Sequence, residues 1–97
     1  MILVRNVLEI DPAQMQAARE LVREMRAIGK QAGFHDKAMT DLVGPFYTLV
    51  LESEWKDLAA MEHGLTTLRA RPDWQATYAR MRPMVRGGRR EVYELIA

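Results

Sequence analysis

The 97-residue chain has no cysteine. Disulfides, thiolate nucleophiles and cysteine metal sites are therefore excluded, and a reducing, cytoplasmic setting is the expectation. Histidine is scarce. His35 and His63 are the only two, and neither stands in the spacing of a metal site or a catalytic triad. No metal and no cofactor are expected. No apolar run approaches the ~20 residues of a membrane-spanning helix. The apolar start of the chain is interrupted by Arg5, Asn6 and Glu9 and is followed by no cleavage pattern, so it reads as a strand and no membrane partner is expected. Phosphate loops, dinucleotide fingerprints, zinc patterns and nucleophile elbows are missing too. Arg86-Gly87-Gly88-Arg89-Arg90 has the composition of a phosphate loop, but no strand feeds a helix there.

A strong charge of one sign is also lacking. Fourteen Lys/Arg face thirteen Asp/Glu. The seven arginines after residue 68 (Arg69, Arg71, Arg80, Arg82, Arg86, Arg89, Arg90) are read as a solvated helix face and the rim of a turn. The chain as a whole is far from the basic balance of a nucleic-acid binder, so no nucleic acid is expected as partner.

What is present is an ordered succession of patterns without repeats or linkers, which suits one domain over residues 1–97. Ile2, Val4, Leu8 and Ile10 share one face of a first strand, with Asn6 the polar exception. Leu3, Arg5, Val7 and Glu9 share the other. Asp11-Pro12 opens a helix as cap and first residue. Its stripe is Met15, Ala18, Leu21, Val22, Met25 and Ile28, and Gly33 closes it. Lys37–Val43 reads as a second strand, Gly44-Pro45 as a turn, and Phe46–Glu52 as a third strand that is apolar on both faces. A cap at Ser53 or a neighbour starts a second helix with the stripe Leu58, Met61, Leu65 and Leu68, weakened at Gly64. Pro72-Asp73 restarts it, and Trp74, Tyr78 and Met81 share a face. Gly87-Gly88 reads as a turn before a last strand, Glu91–Ile96.

The order β-α-β-β-α-β is the ferredoxin-like arrangement, an α+β fold. It predicts an antiparallel sheet in the order 4-1-3-2, with strands 1 and 3 central and parallel to each other and both helices on one face. A strand apolar on both faces has to be covered on both. A homodimer, with two bare faces closing into a barrel, is therefore expected. The interface set is Leu3, Val7, Tyr47, Leu49 and Leu51, unless Phe46 and Val50 are the side chains that face out.

Gly44-Pro45-Phe46-Tyr47-Thr48-Leu49-Val50-Leu51-Glu52, Asp57-Leu58-Ala59-Ala60-Met61 and the segment from Arg71-Pro72-Asp73-Trp74-Gln75 to Arg80-Met81-Arg82-Pro83 resemble the NIPSNAP-like group of dimeric α+β barrels. The resemblance implies a fold and a dimer more than a reaction, since the wider superfamily mixes haem-degrading enzymes, cofactor-free monooxygenases, dehalogenases and proteins of unknown role. Its haem-degrading branch carries an Asn in the first strand, matched by Asn6. The branch's Trp and axial His would fall near Met61 or Glu62 and near Tyr78, and neither matches.

The site expected from these residues is a small apolar pocket between sheet and helices, with Asn6, His35, Trp74 and Tyr78 as lining. The primary reading is a homodimeric barrel that binds a small hydrophobic molecule. A cofactor-free monooxygenase or isomerase of an aromatic substrate is the alternative, and a non-catalytic interaction module the third. No catalytic residue is assigned.

Overall fold

In a computed structural model covering residues 1–97, four strands and three helices follow one another as β1 (Ile2–Ile10), α1 (Met15–Gln31), β2 (Asp36–Thr40), β3 (Thr48–Trp55), α2 (Leu58–Arg69), α3 (Pro72–Met81) and β4 (Val85–Glu94). The strands form one sheet in the order β2-β3-β1-β4, and every neighbouring pair is antiparallel. The expected order holds. The expected parallel pairing of the central strands does not. The crossover through α1 brings β2 back parallel to β1 in direction, and the β2–β3 hairpin then reverses the chain, so β3 enters between them antiparallel to both.

Register decides which side chains meet the helices. Val7 pairs with Val50 and Leu8 with Leu49 across β1 and β3. Leu8, Ile10, Leu49 and Leu51 face the helices and pack with Ala18, Leu21, Val22 and Met25 of α1 and Met81 of α3. Leu49 is 2% exposed. Leu3, Arg5, Val7, Thr48, Val50 and Glu52 lie on the opposite, uncovered face. The interface expected at Leu49 and Leu51 is corrected accordingly: both belong to the helix-covered core, and Val50 is the apolar side chain of β3 that faces out.

Several boundaries move for local reasons. β3 starts at Thr48 because Tyr47 is in the left-handed region (φ 59°), which ends extended pairing. β2 stops at Thr40, and Leu42 and Val43 lie in the connecting loop. Asp11 caps a short 3-10 turn by accepting from the Ala13 N–H, and α1 proper begins at Met15. Asp57, not Ser53, caps α2 by accepting from the Ala60 N–H at 2.8 Å. Ser53 is still within β3, where its Oγ accepts from Trp55 Nε1. β4 runs straight through Gly87-Gly88 because β1 demands it. A Cβ on Gly88 would stand 2.6 Å from the Val7 carbonyl oxygen, so only glycine allows that close approach.

Gly64 has a similar reason. α2 passes through it unbroken, and the Trp55 ring lies where its Cβ would be. The ring is held in place by Ser53 and by a tilted contact with Phe34, centroids 5.3 Å apart. Alanine normally favours a helix over glycine by about 1 kcal/mol. Here Gly64→Ala is expected to lower stability, by about 1–3 kcal/mol, because the indole cannot move aside cheaply. In a Trp55→Leu background the same change should be neutral or stabilising. Urea denaturation of the four proteins measures both signs.

Candidate functional site

The helix-facing side of the sheet does not gather the expected pocket. Asn6 faces the helices from the middle of β1, and its Oδ1 accepts from Arg90 Nε on the neighbouring edge strand at 2.7 Å. Trp74 packs against the core cluster, while Tyr78, one turn further along α3, is exposed. Thr77 and Met81 take the core-facing positions that follow Trp74. His35 follows α1 and is exposed, beside a small hollow of about 320 Å³ with Asp36, Lys37, Ser53 and Glu54. Asn6, Trp74 and Tyr78 line neither of the two main hollows. His63 is exposed on α2, with no partner that would orient it as a base. No group of three or more His, Asp or Glu is arranged to hold a metal ion. No helix is long and apolar enough to cross a membrane.

The other side of the sheet carries the larger hollow, about 800 Å³, over β1, β3 and β4. Its apolar part is Val7, Leu8, Met39, Val50 and Phe46, with Pro45 beside them. Strand alternation puts Val7, Met39 and Val50 side by side in register, and the β2–β3 loop supplies Pro45 and Phe46. Four of the hollow's five charged residues form a line of ion pairs, Glu52–Arg5–Glu91–Arg89. Arg5 Nε donates to Glu52 Oε2 at 2.9 Å, and its other end lies 3.8 Å from Glu91. Arg89 Nε donates to Glu91 Oε2 at 2.8 Å. The Arg5 guanidinium also lies over the Tyr93 ring, 5.7 Å from its centroid. Glu91 is held below the usual carboxylate range, first by the hydrogen bond from Arg89, with Arg89 and Arg5 adding attraction against a partial loss of hydration.

Of the predicted site residues the structure brings Leu3 and Val7 onto the open face, and Tyr47 to its loop rim. Arg5, Glu52, Arg89 and Glu91 were not predicted as a unit. The signal was partly visible: a charge among apolar residues on one parity of β1 and another on the matching parity of β3. The register that joins them was not.

A four-stranded antiparallel sheet in the order β2-β3-β1-β4 with helices on one face is a ferredoxin-like α+β fold. The NIPSNAP family model matches residues 6–97, and the chain belongs to that family. No curated protein matches the sequence. Among solved structures, an uncharacterised NIPSNAP domain protein from Burkholderia xenovorans superposes with a TM-score of 0.90 at 18% identity, covering 100% of this chain and 96% of that one. A NIPSNAP family protein from Agrobacterium tumefaciens gives 0.89 at 19% identity, over 96% and 90% of the two chains. An antibiotic biosynthesis monooxygenase gives 0.80 at 18% identity over the whole of both. At such identities the likeness establishes the fold.

The line of ion pairs makes a pH prediction. A carboxyl whose folded pKa lies below its unfolded value adds stability that is present above the unfolded value, near 4.5, and is lost as pH falls through the lowered one. Melting temperatures recorded from neutral pH downward should therefore fall less steeply below about pH 4.5 in Glu91→Gln than in the wild type. Equal slopes would mean that Glu91 is paired no better when folded than when unfolded.

Proposed function

We propose that the protein is a small cytoplasmic homodimer in which two open sheet faces close into a barrel, and that the barrel interior binds a small hydrophobic molecule. The observation that carries this reading is the position of the hollow. It lies on the face that no helix covers, and Val7, Met39, Val50 and Phe46 give it an apolar wall. Side chains of this kind gain ~1.5–3 kcal/mol each on full burial, and only a second surface provides it. Four of the five charged groups that line the hollow, Arg5, Glu52, Glu91 and Arg89, are already paired with one another, and Glu9 alone has no partner in the chain. Nucleic acid is not part of the proposal, since Arg71, Arg80, Arg86 and Arg89 are each engaged by a carboxylate of this chain.

The alternative, a cofactor-free oxygenase or isomerase, draws on the similarity to the monooxygenase fold and on Asn6. Fold alone does not carry chemistry. Asn6 is engaged by Arg90, and neither His35 nor His63 lies beside it. Ligand binding without assigned chemistry is the better-supported statement. Native mass spectrometry of protein purified without denaturation is its direct test. An apolar small molecule released on unfolding is expected, and uniformly empty protein would count against a binding role.

The assembly has its own test. Val50→Asp puts a charge on the open face and is expected to leave a folded monomer in light scattering, because an unpaired charge in an apolar interface costs several kcal/mol. Leu49→Asp puts the charge into the helix-covered core and is expected to unfold the chain. A wild-type protein that remains a folded monomer at tens of micromolar would refute the dimer.

A further inference from the structure

The β2–β3 loop differs from the other connections. Leu42, Val43 and Phe46 are 98%, 99% and 83% exposed. Exposed as it is, the loop is firmly fixed. The Thr48 N–H donates to Asp41 Oδ1 at 2.9 Å, the Thr48 hydroxyl donates to the Pro45 carbonyl at 2.8 Å, and the Ile10 N–H donates to the Tyr47 carbonyl at 2.9 Å. Tyr47 is held at φ 59°, a conformation that costs a non-glycine residue free energy and persists only where its surroundings impose it. A fixed, strained loop that shows apolar side chains to water is shaped for contact with another surface.

The charges narrow the choice of that surface. Asp41 stands in the loop's own base and Glu9 pairs in register with Thr48, while Arg86 is engaged by Asp11. This is not the basic rim that an anionic membrane or a polyphosphate requires. The open sheet face is near balance, with Arg5, Lys37 and Arg89 against Glu9, Glu52, Glu54 and Glu91, and Arg5, Arg89, Glu52 and Glu91 pair within it. Such a face meets a copy of itself without strong repulsion. Pro45 and Phe46 already form one wall of its hollow.

We propose that this loop is a docking arm for a second copy of the chain: the Phe46 ring of each subunit packs over the hollow of the other, so that the cavity is lined by both chains and is incomplete in a monomer. The inference rests on the homodimer proposed above.

The test is sedimentation equilibrium of the full chain as wild type, Phe46→Ser, Phe46→Leu and the double variant Leu42→Ser/Val43→Ser, with circular dichroism as the folding control. Phe46 is exposed, so its variants should fold. Phe46→Ser is expected to weaken the dimer at least about tenfold, as loss of an aromatic anchor does, and Phe46→Leu to keep most of the affinity. Binding of the apolar dye anilinonaphthalene sulfonate should fall in Phe46→Ser as the cavity loses a wall. A wild-type dimer whose affinity survives Phe46→Ser overturns the arm and leaves the dimer standing. A wild-type monomer overturns both. Pelleting with vesicles of phosphatidylcholine and phosphatidylserine, lost in Phe46→Ser while dimer affinity is unchanged, would make the occupant a lipid surface and overturn the proposal.

Discussion

A sheet with helices on one side only imposes a choice on every residue of its two central strands. β1 and β3 are paired on both edges, so their backbones have no freedom to rotate, and each side chain goes either under the helices or away from them. Leu49 and Val50 are neighbours of nearly equal hydrophobicity. One is sealed by α1, and the other is left on the open face. A shift of one residue in the β1–β3 register would exchange them and empty the core. The packing of Ile10, Leu49, Leu21 and Met81 therefore fixes, as a by-product, which side chains form the outer surface.

That outer surface combines apolar contact with charge in a way that constrains its use. In water the Arg5, Glu52, Glu91 and Arg89 pairs contribute little, because solvent screens them. Under a cover they would lose hydration, and the cover would be unfavourable if any one of them lacked a partner. The line of ion pairs supplies those partners inside a single chain, and Tyr93 extends it through the face of its ring. Over the hollow, the covering surface then has only the Glu9 carboxylate left without a partner in the chain. Another use of an open four-stranded sheet, stacking of single-stranded bases, calls for aromatic rings on the face and a positive field. Here the central positions are Arg5, Val7, Val50 and Glu52, and the carboxylates slightly outnumber the cations.

Much of this was legible in the sequence, for identifiable reasons. Element order survived because it rests on long periodic segments: the α1 stripe from Met15 to Met25 and the alternation of Ile2 to Ile10. What failed were properties that depend on a partner element. Phe46-Tyr47 has excellent strand propensity, but tertiary hydrogen bonding through Ile10 and Asp41 turns it into a loop. Gly64 and Gly88 look like breakers in isolation. Each is required by something remote in sequence, the Trp55 ring and the Val7 carbonyl. The faces of β3 were ambiguous because both parities are apolar, and only the register with β1 resolves them. The pocket assigned to Asn6, Trp74 and Tyr78 failed for a related reason: one helical turn brings two side chains near one face, but Trp74 reaches the core and Tyr78 stays outside it.

Asn6 shows how the two sides of the sheet are linked. A carboxamide on a core-facing position requires a hydrogen-bond partner, and Arg90 supplies one from the edge strand. Arg90 is adjacent to Arg89 and Glu91, whose side chains alternate to the open face and form one end of the line of ion pairs there. Three consecutive residues of β4 therefore secure a polar group on one side of β1 and a charged group on the other. Gly88, next in line, lets β4 approach closely enough for both. The basic C-terminal segment thus does structural work at the edge of the sheet. Five of its seven arginines, Arg71, Arg80, Arg86, Arg89 and Arg90, are engaged by the carboxamide and carboxylates of the same chain, and the apolar surface left open is the hollow, with Val7, Val50 and Phe46.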